Sequence, residues 1–241
     1  MRYNNAFPAA LVGLLSLWLI AAPAGARTEQ QQQQQQQTVK IPEPGVPQIM
    51  TMEGRFVRAA YNNEGYVILG YRVANDSVAD EWMLLEVGIT LMDDVPDYTL
   101  KRDGISLTTP DGTIVPLATQ QEYSKAGNLR GLNNQANNVR DSINYFPPAR
   151  EGCRIGFFAD PTSRALPWDQ VDITSLRACM GRLFFIVPGG IKYGQHWLDV
   201  KFEKSLVRVP FRILTKEEYK FLDKNYKDIS KQVEEAFRPK K

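Results

Sequence analysis

Met83-Leu84-Leu85-Glu86-Val87-Gly88-Ile89-Thr90-Leu91 sets the structural class of this chain. Large apolar residues stand at Met83, Leu85, Val87, Ile89 and Leu91, while Leu84, Glu86, Gly88 and Thr90 fall between them. Side chains alternate across a β-strand, so a period of two predicts a strand with one face in a core and the other outside it. Upstream, Tyr66–Ala74 repeats the pattern with Val67, Leu69, Tyr71 and Val73, and stops at Asn75-Asp76-Ser77, a turn sequence. Residues 66–74 are therefore expected to be a second strand.

Shorter segments of the same kind predict strands at Arg55–Tyr61, Ile105–Thr108, Ile114–Leu117, Arg154–Phe158, Arg182–Val187, Trp197–Phe202 and Val207–Ile213. Pro110-Asp111-Gly112-Thr113 predicts a tight turn between two of them. Many short strands separated by turn residues indicate a sandwich or barrel. Two segments depart from period two. Between Thr119 and about residue 144, Tyr123, Leu129, Leu132, Ala136, Val139 and Ile143 recur at helical spacing behind a Thr119/Glu122 capping box, which predicts a helical insertion broken near Gly127 and Gly131. After Thr215, a second capping box with Glu218 precedes Tyr219, Leu222, Tyr226, Ile229, Val233 and Ala236, which predicts a helix over 215–238 ended by Pro239.

These residues resemble secreted and envelope-attached bacterial domains of the immunoglobulin-like type. The resemblance rests on Tyr71-Arg72-Val73-Ala74-Asn75-Asp76-Ser77, on Met83–Leu91, on Asp111-Gly112 and on Leu183-Phe184-Phe185-Ile186-Val187-Pro188, and covers about Phe56 to Ile213. It implies an immunoglobulin-like antiparallel β-sandwich, here carrying a short helical insertion and a C-terminal helix, and it implies a fold more than a function. The sandwich is expected to span 49–214.

The amino terminus predicts export. Arg2 precedes an uncharged apolar run from Ala9 to Ala22, and Ala24-Gly25-Ala26 supplies small residues at the positions a signal peptidase reads, so 1–26 reads as a signal peptide. An uncleaved anchor is the competing reading, opposed by Pro23 and Gly25. Residues 27–48, with eight consecutive glutamines (Gln30–Gln37) and the proline-rich Ile41–Pro47, read as a disordered linker. Arg2 is one of 29 basic residues, so the mature chain carries 28 against 27 acidic residues. That balance lacks the basic excess typical of a nucleic-acid partner. Cys153 and Cys179 are the only cysteines. In an oxidising periplasmic or extracellular compartment they are expected to form one disulfide.

Residues able to carry chemistry are few. His196 is the only histidine, and it shares a strand face with Leu198, Val200 and Phe202, the setting of a core residue. No Gly-x-Ser-x-Gly elbow and no cofactor motif is spelled. Asp93-Asp94-Val95-Pro96-Asp97 offers oxygen ligands for calcium or carboxylates for a secreted hydrolase, and equally an exposed turn. Asn75-Asp76-Ser77 matches a glycosylation acceptor, with a turn as the plainer reading. Candidate partner surfaces remain. Trp197 lies on the strand face opposite the core, Tyr145-Phe146-Pro147-Pro148 makes an aromatic ridge or a plug, and Leu222, Tyr226 and Ile229 form a heptad-spaced stripe. The stripe either packs on its own sandwich or docks on another chain. The expected function is a non-enzymatic, exported binding or structural protein of the cell envelope or secretome with a protein partner. A carbohydrate-binding module using Trp82, Trp168 or Trp197 is the first alternative, and a secreted hydrolase using Asp93 and Asp97 the second.

Overall fold

The computed structural model describes residues 48–127, 129–148 and 150–237. The expected signal peptide and, apart from Gln48, the expected linker lie outside the described residues, as does Pro239. Twelve strands form three sheets among the described residues. The largest contains β1 (Ile49–Gly54), β2 (Val57–Tyr61), β3 (Gly65–Gly70), β4 (Trp82–Leu91), β10 (Arg177–Ile186) and β8 (Glu151–Arg154), in the order β1-β2-β3-β4-β10-β8. The second runs β12-β11-β6-β7, from β12 (Leu206–Ile213), β11 (Gly194–Lys201), β6 (Ile105–Thr108) and β7 (Ile114–Pro116). A small third sheet pairs β5 (Tyr98–Lys101) with β9 (Gln170–Ile173). Every pairing is antiparallel except β8 with β10. The protein is thus mainly β, with several antiparallel sheets and a C-terminal helix.

One core joins the two larger sheets. Val67 and Leu69 of β3 and Leu85, Val87 and Ile89 of β4 share it with Leu198, Val200, Val209 and Phe211 of the four-stranded sheet. The Tyr71 and Phe211 rings lie 5.2 Å apart across it. The exposed edge of β12 is blunted by its own sequence. Gln48 donates through Nε2 to the Arg208 carbonyl (2.7 Å) and accepts from the Arg208 N–H through Oε1 (2.8 Å), so a side-chain amide occupies the place of a further strand. Pro210 contributes no N–H at all, and proline blunts an edge strand for that reason.

Three strand expectations change. β4 was expected to be half covered, yet all ten of its residues are buried, because its second face is covered too: Phe146 lies on Gly88, the helix Arg72–Asp76 packs against the strand, and Glu86 faces the insertion. The strand expected at Tyr66–Ala74 ends at Gly70, and Arg72–Asp76 is a short helix, α1. Tyr71 turns into the core with its hydroxyl on the Arg55 carbonyl (3.1 Å), and Arg72 forks onto Asp141 at 2.9 and 2.8 Å, contacts that a continuing strand would not give. The strand expected at Arg154–Phe158 lies earlier, at Glu151–Arg154. Beyond it Ile155 crosses over Gly181 so closely that any Cβ there would stand 2.5 Å from the Ile155 carbonyl oxygen.

The insertion is α2 (Gln120–Lys125) and α3 (Leu129–Val139), and the capping box at Thr119 and Glu122 forms in both directions. Tyr123, Phe158 and Phe184 pack ring against ring at 4.8–5.1 Å and pin α2 to the sheet. The C-terminal helix α4 (Lys216–Phe237) lies along the edge strand β1 of its own chain. Its second capping box also forms: the Thr215 N–H donates to Glu218 at 2.9 Å, and the Glu218 N–H donates to Thr215 Oγ1 at 3.2 Å. The helix kinks at Asn225 (φ −112°, ψ 15°), whose side chain donates to the Phe221 carbonyl at 2.8 Å. Cys153 and Cys179 are disulfide-bonded between directly opposed positions of β8 and β10. Among the described residues no helix is long and apolar enough to cross a membrane.

Candidate functional site

The residues singled out from sequence are spread over three parts of the molecule. Phe146 lies on the outer face of the six-stranded sheet, where a Cβ on Gly88 would meet its ring at 2.4 Å, so the glycine is the seat of the ring. Tyr145, 38 % exposed, accepts at its carbonyl from the Tyr66 hydroxyl (3.1 Å). Trp197 is half-buried on the four-stranded sheet, opposite Pro210 and Thr108. On α4, Leu222 is buried, Ile229 is half-buried, and the Tyr226 hydroxyl donates to the Met52 carbonyl of β1 (3.1 Å). Tyr219 stacks on Phe56 at 5.7 Å, and Arg55 pairs with Asp223 at 2.7 Å. The heptad stripe thus meets its own chain.

The candidates for chemistry resolve in the same way. His196 is 0 % exposed and stacked on Phe211 at 5.3 Å, with Nδ1 3.1 Å from the Gly194 carbonyl and Nε2 without a hydrogen bond. Burial disfavours its charged form and pulls its pKa down to about 4. Asp93 is held by Arg150 at 2.7 Å, and Asp94 sits at φ +66° in the turn. Among the described residues no group of three or more His, Cys, Asp or Glu side chains is placed to hold a metal ion. Asn75 accepts from the Leu214 N–H at 2.7 Å, which makes it a brace between α1 and the end of β12. Of the three tryptophans among the described residues, Trp82 is buried, Trp197 half-buried and Trp168 57 % exposed, and no ring contact joins them.

One large concavity was not foreseen. It is an open cleft of about 1100 Å³ between α3 and the outer face of the six-stranded sheet. Its floor is the cross-strand pair Glu86 of β4 and Arg182 of β10, directly opposed in register. Arg182 Nε lies 3.6 Å from Glu86 Oε1, while its two terminal nitrogens donate to Asn133 Oδ1 (3.0 Å) and Asn137 Oδ1 (2.6 Å) of α3. Asn133 in turn donates to the Tyr123 hydroxyl at 3.1 Å. One guanidinium therefore ties helix to sheet.

Burial raises the pKa of Glu86, with the nearby guanidinium groups of Arg182 and Arg140 opposing the rise. Asp160, on the opposite wall, is held below the usual carboxylate range by the Thr162 side chain and N–H. The Arg102 guanidinium steadies that wall from behind. It donates to the Ala118 carbonyl at 2.6 Å and to the Phe157 carbonyl, and lies 4.7 Å from the Phe158 ring centre. The lining contains neither imidazole nor thiol. What it presents are guanidinium and amide groups, which bind polar and anionic ligands.

The signal for this surface was present on α3, where Arg130, Asn133, Asn134 and Asn137 share one helical face, with Arg140 just beyond its end. Read alone, such a face is indistinguishable from an ordinary solvated one. Comparison of the chain with protein-family models, with curated proteins and with solved structures returned no match.

Proposed function

We propose that this is an exported, non-enzymatic binding protein of the cell envelope or secretome, built as an immunoglobulin-like sandwich, whose ligand occupies the cleft under α3. The cleft carries this reading: it is concave, and its polar groups converge from α3, β4 and β10, which is how ligand sites are built. Export is supported by the apolar amino-terminal run with Ala24-Gly25-Ala26 and by the disulfide, a bond typical of oxidising compartments. The sandwich build is supported by the single core between the two larger sheets.

Photocrosslinking in the native host tests the reading, with a photoreactive residue placed at Asn134 in the cleft or at Gln232 on the exposed face of α4. Adducts from position 134 and none from 232 are the expected outcome. Adducts from 232 alone would make α4 the docking element and overturn the cleft as the binding site. No adduct from either position would overturn it as well.

A further inference from the structure

We infer that the ligand of the cleft is an anionic oligosaccharide, an inference that rests on the cleft being the binding site. Four arginines (Arg130, Arg140, Arg154 and Arg182) and three acids (Glu86, Asp141 and Asp160) line it. Internal pairing does not consume them evenly. Glu86 is taken by Arg182, Asp141 is forked by Arg72 from outside the cleft, and Asp160 accepts from the Thr162 N–H (2.8 Å) and hydroxyl (2.7 Å). The side chains of Arg130, Arg140 and Arg154 make no hydrogen bond or ion-pair contact among the described residues. Arg140 and Arg130 act on Glu86 and Asp160 through space only, so the cleft presents guanidinium forks not closed by a contact, four arginines against three acids, and such planar forks match carboxylate and sulfate oxygens.

The uncharged lining favours a sugar over a peptide. Asn134 and Asn144 offer free side-chain amides, and Asn137, whose oxygen is taken by Arg182, keeps its NH2. An amide that both donates and accepts suits the hydroxyls of a sugar ring. Peptide recognition needs pockets for side chains, yet the large apolar residues of the lining, among them Leu129, Ile155, Phe158 and Phe184, are buried. At about 1100 Å³ and open along its length, the cleft has room for more than one sugar ring.

Titration calorimetry of the purified chain tests this, with trigalacturonate as a carboxylated probe, a heparin tetrasaccharide as a sulfated one, cellotriose as a neutral one and hexaglutamate as an acidic peptide. The expected result is that one or both anionic sugars bind at least about tenfold more tightly than cellotriose and hexaglutamate, and which of them binds identifies the anion. The double variant Arg140→Glu/Arg154→Glu, changed at exposed positions, is expected to keep its unfolding midpoint and lose at least about tenfold in affinity, the scale of a lost charge-assisted hydrogen bond. Equal binding of hexaglutamate or cellotriose, full binding by the double variant, or no binding of either anionic sugar would each overturn the proposal. In those cases the adduct from position 134 still decides whether the cleft is the binding site.

Discussion

The two faces of the six-stranded sheet are made by the same strands and solve opposite problems. On the inner face Leu85, Val87 and Ile89 of β4 meet the four-stranded sheet and close a dry core. On the outer face Glu86 and Gly88, one residue out of step, carry an ion pair and the seat of an aromatic ring under the insertion. The inner face is held by area removed from water, at roughly 25 cal/mol per Å². The outer face is held by a few specific contacts around Arg182, Phe146 and the Tyr123–Phe158–Phe184 rings. A face of the second kind is the one that can leave a polar opening, because its cover touches the sheet at points rather than throughout.

Substitutions should expose that difference, beginning with the core. Phe185 of β10 is fully buried on the inner face, and Phe185→Ala is expected to cost about 4 kcal/mol in urea unfolding, from lost transfer free energy plus the cavity left behind. A loss below about 1 kcal/mol would mean that the inner face is not the stabilising one.

The disulfide comes next. Cys153 and Cys179 are 26 residues apart, and the double change Cys153→Ser/Cys179→Ser is expected to cost about 3.5 kcal/mol on the chain-entropy model. Because β8 carries Arg154 at the margin of the cleft and hangs on β10 alone, this variant should also release β8 to hydrogen exchange before the rest of the sheet. Uniform exchange across all strands would contradict the division between a tight inner face and a locally fastened outer one.

The third test is acid. The pKa of His196 falls from 6.5 to about 4 on folding, so the folded state favours the neutral ring. Its contribution is present in full above pH 6.5 and is lost as pH falls through 4, a loss of about 3 kcal/mol given that each tenfold change in proton affinity is worth about 1.4 kcal/mol. The difference in stability between the protein and His196→Gln should therefore shrink across that window. A constant difference would mean that His196 is open to water in the folded state.

The smallest effect should have the opposite sign. Glu86 has a raised pKa, so folding favours its neutral form, and the contribution is present at low pH and lost as pH rises through the folded value. Glu86→Gln keeps a neutral side chain at every pH and is expected to be slightly more stable than the parent at pH 7 and equal to it at pH 3. Destabilisation at pH 7 would show that the ion pair with Arg182 outweighs the burial of the carboxylate.

Much of the frame was legible locally. β4 is longer than expected by one residue, both capping boxes form as the Thr-x-x-Glu spacing implied, and the two cysteines pair. Errors arose where tertiary contacts overrode a local pattern. Tyr71 and Val73 continue the alternation of β3, yet the chain turns into α1, drawn by the Tyr71 hydroxyl on the Arg55 carbonyl and by the Arg72–Asp141 fork. β1 lacks a clear alternation of its own, and β5 and β9 alternate over only four residues each, too few to read as strands without their partners. Of the candidate surfaces, the α4 stripe was visible as a heptad pattern, but that pattern is the same whether the covering surface is β1 or another chain.

The sequence by itself determined the strand-dominated class, the helical insertion, the terminal helix and the disulfide, because periodicity, capping and cysteine count act over a few residues or leave one possible pairing. The cleft was decided by tertiary structure alone. Its lining comes from β4, α2 and α3, the segment that follows them, residues 154–162 and β10, brought together by long-range pairing. The polar half of an alternating strand reads the same whether water or a helix lies above it. Only the Arg182 guanidinium reaching across to Asn133 and Asn137 turns Glu86 from a residue facing solvent into the floor of a cleft.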